Sequence, residues 1–484
     1  MTMHQMFIGG SWVDATSGQS FEDKNPYTGD IFAHVAAGQL VDVQRAIDSA
    51  NKAFPAWAAT LPAERRRIFL KAADVLESRR EQIVQWLIQE TGSTFGMAMF
   101  QSFYTPGILR EAASLVSQPK GEILASDTPG ALFMVQRQPV GVVAGISPWN
   151  APLILSMRAI CMPIALGNTV VLKPAPDSPV SGGVVMAQIF EEAGLPPGVL
   201  NVVTHDIEGT QAIGDELVSN PLVKRLNFTG STGVGRQLAE KCGRHLKRIA
   251  LELGGHNPLL ILRDADVDQA VDIATFGAFL HQGQICMSVR RIIVEKALAP
   301  EFTEKFVKKT QSLKVGDPSQ HDTVIGPLIN QGQLNRVKAN VEESIRDGAE
   351  ALCGAKHDGL CYYPTVLIGA SPRTKICCEE TFGPVVALLP VDDMEQGLAL
   401  ANQTSYGLSS AVITKDYEKG LWLAERLETG MVHINDSTVL DEPQVPFGGV
   451  KNSGLGRMGG RMAVEEFTES KWITIQRQPR HYPF

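Results

Sequence analysis

The sequence predicts an α/β protein built as two doubly wound lobes. Short apolar strand patterns alternate with helical patterns between residues 140 and 250, which implies a mostly parallel sheet flanked by helices. The alternation restarts beyond Leu253, so a second lobe of the same kind follows, the two meeting near residue 252. At 484 residues the chain is also too long for a single hydrophobic core.

Residues 62–91 read as one long helix: Ile68, Ala72, Val75, Leu76 and Ile83 recur at helical spacing, and Gly92 ends the run. Residues 140–146 form a buried-strand pattern, residues 152–166 a helix, and residues 168–174 a second strand closed by Pro174. A third strand, residues 200–203, follows the helix end at 191–196, and a fourth covers 225–229. In the second lobe, residues 258–262 read as a strand and 265–279 as a helix. Residues 472–476 alternate like a strand with no helix after them, so they pair with another element or another subunit.

Composition narrows the function. Apolar residues make up 44% and charged residues 20%, ordinary for a globular protein. The net charge of −8, with no long basic run, argues against nucleic acid as a partner. No apolar stretch reaches the roughly 18 residues of a membrane span. The start, Met1 to Met6, carries neither a secretory nor a transit pattern, so a cytoplasmic location is expected. Seven cysteines, an odd and scattered set, do not form a disulfide framework, and adjacent Cys377 and Cys378 read as reduced thiols. Without a CxxC or Cys/His cluster, no metal is expected.

The chemistry-bearing candidates are a thiol and a carboxyl. Cys286 ends Gly283-Gln284-Ile285-Cys286, and Glu252 opens Glu252-Leu253-Gly254-Gly255. A thiolate attacks carbonyl carbon, and a carboxylate can deprotonate a thiol or a water. Small residues around both suit backbone that must approach a substrate closely. Either block alone is weak evidence, because a free cysteine is most often an inert buried hydrophobe. Phe228 to Gly235 reads as strand, Gly-rich turn and helix, where backbone N–H groups can hold phosphate; a structural tight turn accounts for it equally well. Its spacing is not GxGxxG. Lys173 sits at a strand C-terminus, where α/β sheets bind ligands. Asn150, in Pro148-Trp149-Asn150, offers an amide that can donate to an oxyanion, although a plain turn would also explain it. Glu379 to Pro384 and Pro446 to Gly449 are loops that each carry an aromatic residue.

Taken together and in this order, these blocks resemble the motifs of the aldehyde dehydrogenase superfamily. They span residues 148 to 449, and the rest of the chain resembles the family too. The wording around Cys286 and the ending His481-Tyr482-Pro483-Phe484 is most similar to bacterial benzaldehyde and related aromatic aldehyde dehydrogenases. The resemblance implies two Rossmann-like lobes: an NAD(P)-binding domain of residues 1–118 and 140–251, and a catalytic domain of 252–451. It also implies a small β segment for oligomerisation, residues 119–139 and 467–484, and a homodimer or homotetramer. Cys286 would attack the aldehyde, Asn150 and the Cys286 backbone N–H would hold the oxyanion, and hydride would pass to NAD or NADP. Glu252 would then activate water to release the acid. Lys173 would bind the adenosine ribose, with Gly230, Ser231 and Gly235 at the pyrophosphate. Glu380 would hold the nicotinamide ribose, Phe382 would lie against the ring, and Trp149 would line the cleft. Arg158, Met287 and Phe447 would line the substrate pocket.

Three positions depart from the family pattern. Pro176 stands where NAD-preferring relatives carry a Glu that holds the ribose, so NADP becomes usable. Ala159 and Met458 stand where some relatives carry a Lys/Glu water relay, leaving Glu252 as sole base. Arg158 replaces a bulky aromatic; it meets a polar ring substituent or forms a structural ion pair. The expectation is therefore NAD(P)-dependent oxidation of an aromatic aldehyde to the acid. An aliphatic or semialdehyde dehydrogenase is the alternative. A CoA-acylating relative would not need Glu252, a cysteine hydrolase would leave Lys173 and the Gly-rich turn unexplained, and a binding protein would not need Cys286, Glu252 and Asn150 together.

Overall fold

The computed structural model describes residues 2–119 and 121–484. Met1, at the expected leaderless start, and Lys120, in the expected oligomerisation segment, lie outside them. Five parallel strands form the centre of the first sheet, in the order Arg248–Glu252, Val223–Thr229, Val142–Ile146, Thr169–Lys173 and Leu200–Val202. Antiparallel strands close both sides: Met6–Ile8 and Ser11–Val13 on one, Gly454–Leu455 on the other. The central strands are apolar on both faces because helices cover both.

The second sheet has seven strands, with Asn257–Ile261 and Val289–Glu295 at its centre. The chain crosses from one sheet to the other between Glu252 and Asn257. A third, three-stranded sheet joins Glu122–Leu124, Ala131–Pro139 and the tail strand Thr468–Gln476, which pairs antiparallel with Ala131–Pro139 along its whole length. The tail thus finds its partner within its own chain.

The expected single helix over 62–91 is two helices, Pro62–Ser78 and Arg80–Thr91. The apolar spacing runs unbroken through the join, but the Ser78 hydroxyl donates to the Val75 carbonyl at 2.8 Å, and Arg79 leaves helical geometry at φ −101, ψ 10. A local side-chain bond of this kind bends a helix without disturbing its hydrophobic period. Among the described residues no helix is long and apolar enough to cross a membrane, and no group of three or more His, Cys, Asp or Glu is placed to hold a metal.

Candidate active site

The two sheets meet end to end around one cavity of about 150 Å³. The first lobe presents the C-terminal ends of its strands: Asn150 follows Val142–Ile146, Gly230 follows Val223–Thr229, and Glu252 ends its own strand. This is the edge at which doubly wound sheets bind ligands. The second lobe presents loops that lead into strands. Cys286 precedes Val289–Glu295, and Glu380 and Phe382 precede Val385–Val391. Trp149 and Ser231 complete the wall, with the Trp149 and Phe382 rings edge-on at 5.6 Å.

The loop before Cys286 is wound tightly. His281, Gln282 and Gly283 are consecutive left-handed residues, with φ of 52, 54 and 66. A Cβ on Gly283 would lie 2.3 Å from the Gly383 carbonyl oxygen, so only glycine fits there. Arg290 donates to the Gly283 and Gly383 carbonyls and so ties the cysteine loop to the Phe382 loop. Asn257 donates to the Cys286 carbonyl at 2.8 Å, which fixes the backbone beneath the thiol.

Cys286 and Glu252 line the same cavity, near enough for each to shift the other's proton affinity. Burial pushes the Cys286 thiol well above its ordinary range, and the neighbouring Glu252 carboxyl pushes it further. Glu252 is itself raised to about 8, chiefly by burial; the Cys286 thiol opposes this, and the charge of Glu380 adds to it. Its Oε1 has no hydrogen-bond partner among the described residues. Of the two, Glu252 ionises first, at about 8, within reach of the working range of a general base. Asn150 Nδ2 donates one proton to the Gln284 carbonyl at 2.9 Å. That bond fixes the amide and leaves its second N–H for another acceptor.

A groove of about 310 Å³ continues from this cavity, sharing Pro148, Trp149, Gly230 and Ser231 with it. Lys173 and Pro176 line its far part. Burial lowers the Lys173 ammonium to about 7, and no carboxylate offsets that shift. The helix Thr232–Arg244 begins at the groove, with Ser231 Oγ accepting from the Val234 N–H. A helix N-terminus beside a buried, unpaired cation suits an anionic dinucleotide. Asp177 does not replace the missing ribose acid. It lines a separate crevice and accepts from Asn330 at 2.9 Å.

Not every expected site residue reaches the cavity or its groove. Gly235 lies against Leu253, where a Cβ would come within 2.4 Å of that side chain, so its smallness serves helix–strand packing. Met287 is buried in the core beside the nucleophile, its carbonyl accepting from the Thr438 hydroxyl. Arg158 and Phe447 are buried together, the guanidinium 4.7 Å from the ring centre. Ala159 and Met458 are buried and apolar, so neither can relay a proton. Sequence reasoning missed Leu155, Gln333 and Arg336, which also line the cavity. Gln333 donates to the Thr381 and Phe382 carbonyls; burial raises the Glu380 carboxyl, and the charges of Arg290 and Arg336 oppose that rise. Their only sequence signal was an i, i+3 pair of polar residues on the helix Gln331–Arg346.

The sequence profile of the Aldehyde dehydrogenase family matches residues 12–473. The chain belongs to the aldehyde dehydrogenase family. It is similar to vanillin dehydrogenase of Pseudomonas fluorescens, 45% identical over 99% of both chains. It is similar also to the NAD(+) benzaldehyde dehydrogenase of Pseudomonas putida, 41% identical over 98% of this chain and 96% of that one. The crystal structure of a salicylaldehyde dehydrogenase from Pseudomonas putida G7, complexed with salicylaldehyde, superposes with a TM-score of 0.98 at 40% identity over all of both chains. This aldehyde dehydrogenase is thus an aldehyde-oxidising oxidoreductase whose substrate is a small-molecule aldehyde and whose cofactor is NAD or NADP.

Proposed function

We propose that this enzyme oxidises aromatic aldehydes to carboxylic acids through a thioester on Cys286. The placing of Cys286 and Glu252 in one cavity, which continues into the Lys173 groove, carries the reading. Glu252 takes the thiol proton, and the sulfur adds to the aldehyde carbon to give a thiohemiacetal. The free N–H of Asn150 and the backbone N–H of Cys286 stabilise its oxyanion. NAD(P), when bound, would supply the hydride acceptor for oxidation of this adduct to a thioester. Lys173 and Ser231 would hold it at the groove, and Glu380, Phe382 and Trp149 at the cavity. Glu252 releases the thiol's proton to solvent and then draws a proton from water as the water attacks the thioester carbon; the departing thiolate takes that proton back from Glu252, which leaves the acid and the free thiol.

The aromatic class draws support from the full-length likeness to enzymes named for vanillin, benzaldehyde and salicylaldehyde. Burying a ring against apolar walls stabilises by roughly 25 cal/mol per Å². Benzaldehyde should therefore exceed acetaldehyde in kcat/KM by about two orders of magnitude. Hexanal buries similar area and is the stricter comparison; hexanal clearly ahead of benzaldehyde would overturn the aromatic reading.

Cofactor choice turns on Pro176, which lines the groove with Lys173 and puts no acid at the ribose position; the acid that does line the groove, Asp215, is paired with Lys241. Measurable use of NADP is expected. Pro176→Glu should move the NAD/NADP ratio of kcat/KM towards NAD by about tenfold. An unchanged ratio would show that residue 176 does not face the ribose.

We also propose the domain limits 1–118 with 140–251, and 252–451, a cytoplasmic location, and a homodimer or homotetramer assembled through residues 119–139 and 467–484. The three-stranded sheet in those last segments supports assembly, because it leaves Ile123, Trp472 and Ile475 exposed beside open strand edges.

A further inference from the structure

One of the most deeply buried charges in the molecule stands beneath the cysteine loop, and the chemistry above does not use it. Arg290 lies in the strand Val289–Glu295, four residues after Cys286, and is 1% exposed. Its Nη1 donates to the Gly383 carbonyl at 2.7 Å and its Nη2 to the Gly283 carbonyl. Its Nε has no partner among the described residues. The guanidinium packs close under the loop: a Cβ built on Gly283 would lie 3.0 Å from Nη1. Both partners are neutral carbonyls, and among the described residues no carboxylate pairs with it. Buried charges are ordinarily paired, because taking one out of water alone is costly. Burial lowers the guanidinium only to about 10, so it stays a cation at neutral pH.

Two neighbouring guanidiniums have plain structural accounts. Arg158, 2% exposed, is neutralised by Asp441 at 2.7 Å and donates to the Tyr104 hydroxyl at 2.8 Å. Arg291 donates to the Leu400 and Ala401 carbonyls in the last turn of the helix Met394–Asn402, where the helix dipole favours a cation. Arg290 has neither an acid nor a helix end. The groups its charge reaches are Glu380 and the Cys286 thiol. The charges that bear most on Cys286 are acids, Glu252, Glu380 and Asp441, and all three oppose a thiolate.

We propose that Arg290 is a positioning residue whose buried charge stabilises the Cys286 thiolate against those three acids, besides tying the cysteine loop to the Phe382 loop. The inference rests on Cys286 as nucleophile and names what keeps it reactive. A cation that no acid cancels acts further through protein than through water, and it favours the thiolate while leaving the neutral thiol unaffected.

The test is the rate at which iodoacetamide alkylates Cys286, read from the mass of its peptide between about pH 6 and 10, in the wild type, Arg290→Gln and Arg290→Met. Glutamine is neutral but keeps donors for the two glycine carbonyls; methionine keeps neither charge nor donors. Both variants should raise the midpoint of the Cys286 profile by about one pH unit, so that alkylation below it is about tenfold slower. Exposed Cys378 is the internal control and should react at its wild-type rate. The inference is overturned if Arg290→Gln keeps the wild-type midpoint, which would leave Arg290 as a tie alone. Should Arg290→Gln fail to fold, Arg290→Met decides in the same way, since a lost charge moves the midpoint and a loosened loop moves the high-pH rate instead. Failure of the nucleophile reading looks different: Cys286→Ser then keeps its aldehyde oxidation, whatever the Cys286 profile in the other variants.

Discussion

Cys286→Ser should lower aldehyde oxidation by at least about 10³-fold, because a neutral hydroxyl is far less nucleophilic than a thiolate. The setting sharpens the contrast. Burial and the Glu252 carboxyl already hold the Cys286 thiol above its ordinary range, so a hydroxyl in the same place has no route to an alkoxide. Cofactor binding, read by quenching of protein fluorescence, should survive, since Lys173 and Ser231 lie in a groove that Cys286 does not line. Activity within tenfold of wild type would sink the assignment of Cys286 as nucleophile.

Glu252→Gln should leave a burst of reduced cofactor followed by little turnover, with steady-state rate down by about 10²- to 10⁴-fold. The positions where relatives keep a second relay hold Ala159 and Met458, both buried and apolar, so no other side chain there can take over. A pH profile separates this role from a structural one. Glu252 acts as base only when ionised, and its carboxyl titrates at about 8. The deacylation rate of the wild type should rise as pH increases through that value and level off above it. The same rise should be absent in Glu252→Gln. Unchanged steady-state turnover in the variant would mean that another group activates the water.

The parts of this enzyme legible in its sequence are those whose chemistry is local. A strand's apolar run, a proline that stops it and a glycine that must turn are each set by neighbouring residues. The two-lobe α/β fold and its junction followed from such patterns. Cys286 and Glu252 stood out because nucleophile and base each sit in short blocks of small residues, and Asn150 because it follows the first strand of the sheet. The break at Ser78 did not show, since one hydroxyl bond bends the helix while the apolar period continues. Tyr104, Asp441, Gln333 and Arg336 were invisible for another reason. Each is an ordinary polar residue on its own segment, and only folding brings it a partner distant in the sequence. Gly235 misled because a glycine that packs and a glycine that admits phosphate look the same in one dimension.

The strand that ends in Glu252 has its outer neighbour at Gly454–Leu455. Beside it, Ser453 accepts from the Leu253 N–H and donates to the Gly254 carbonyl. The general base is thus anchored by residues about two hundred positions downstream. During synthesis, the ribosome delivers Cys286 and Glu252 long before it delivers the clasp that seats them. A partly made chain holds the reactive thiol and its partner without the frame that aims one at the other, and the strand Arg248–Glu252 has an open edge until the end. Catalytic competence is therefore a property of the finished polypeptide, gained in one late step of folding and lost with any truncation that removes the clasp.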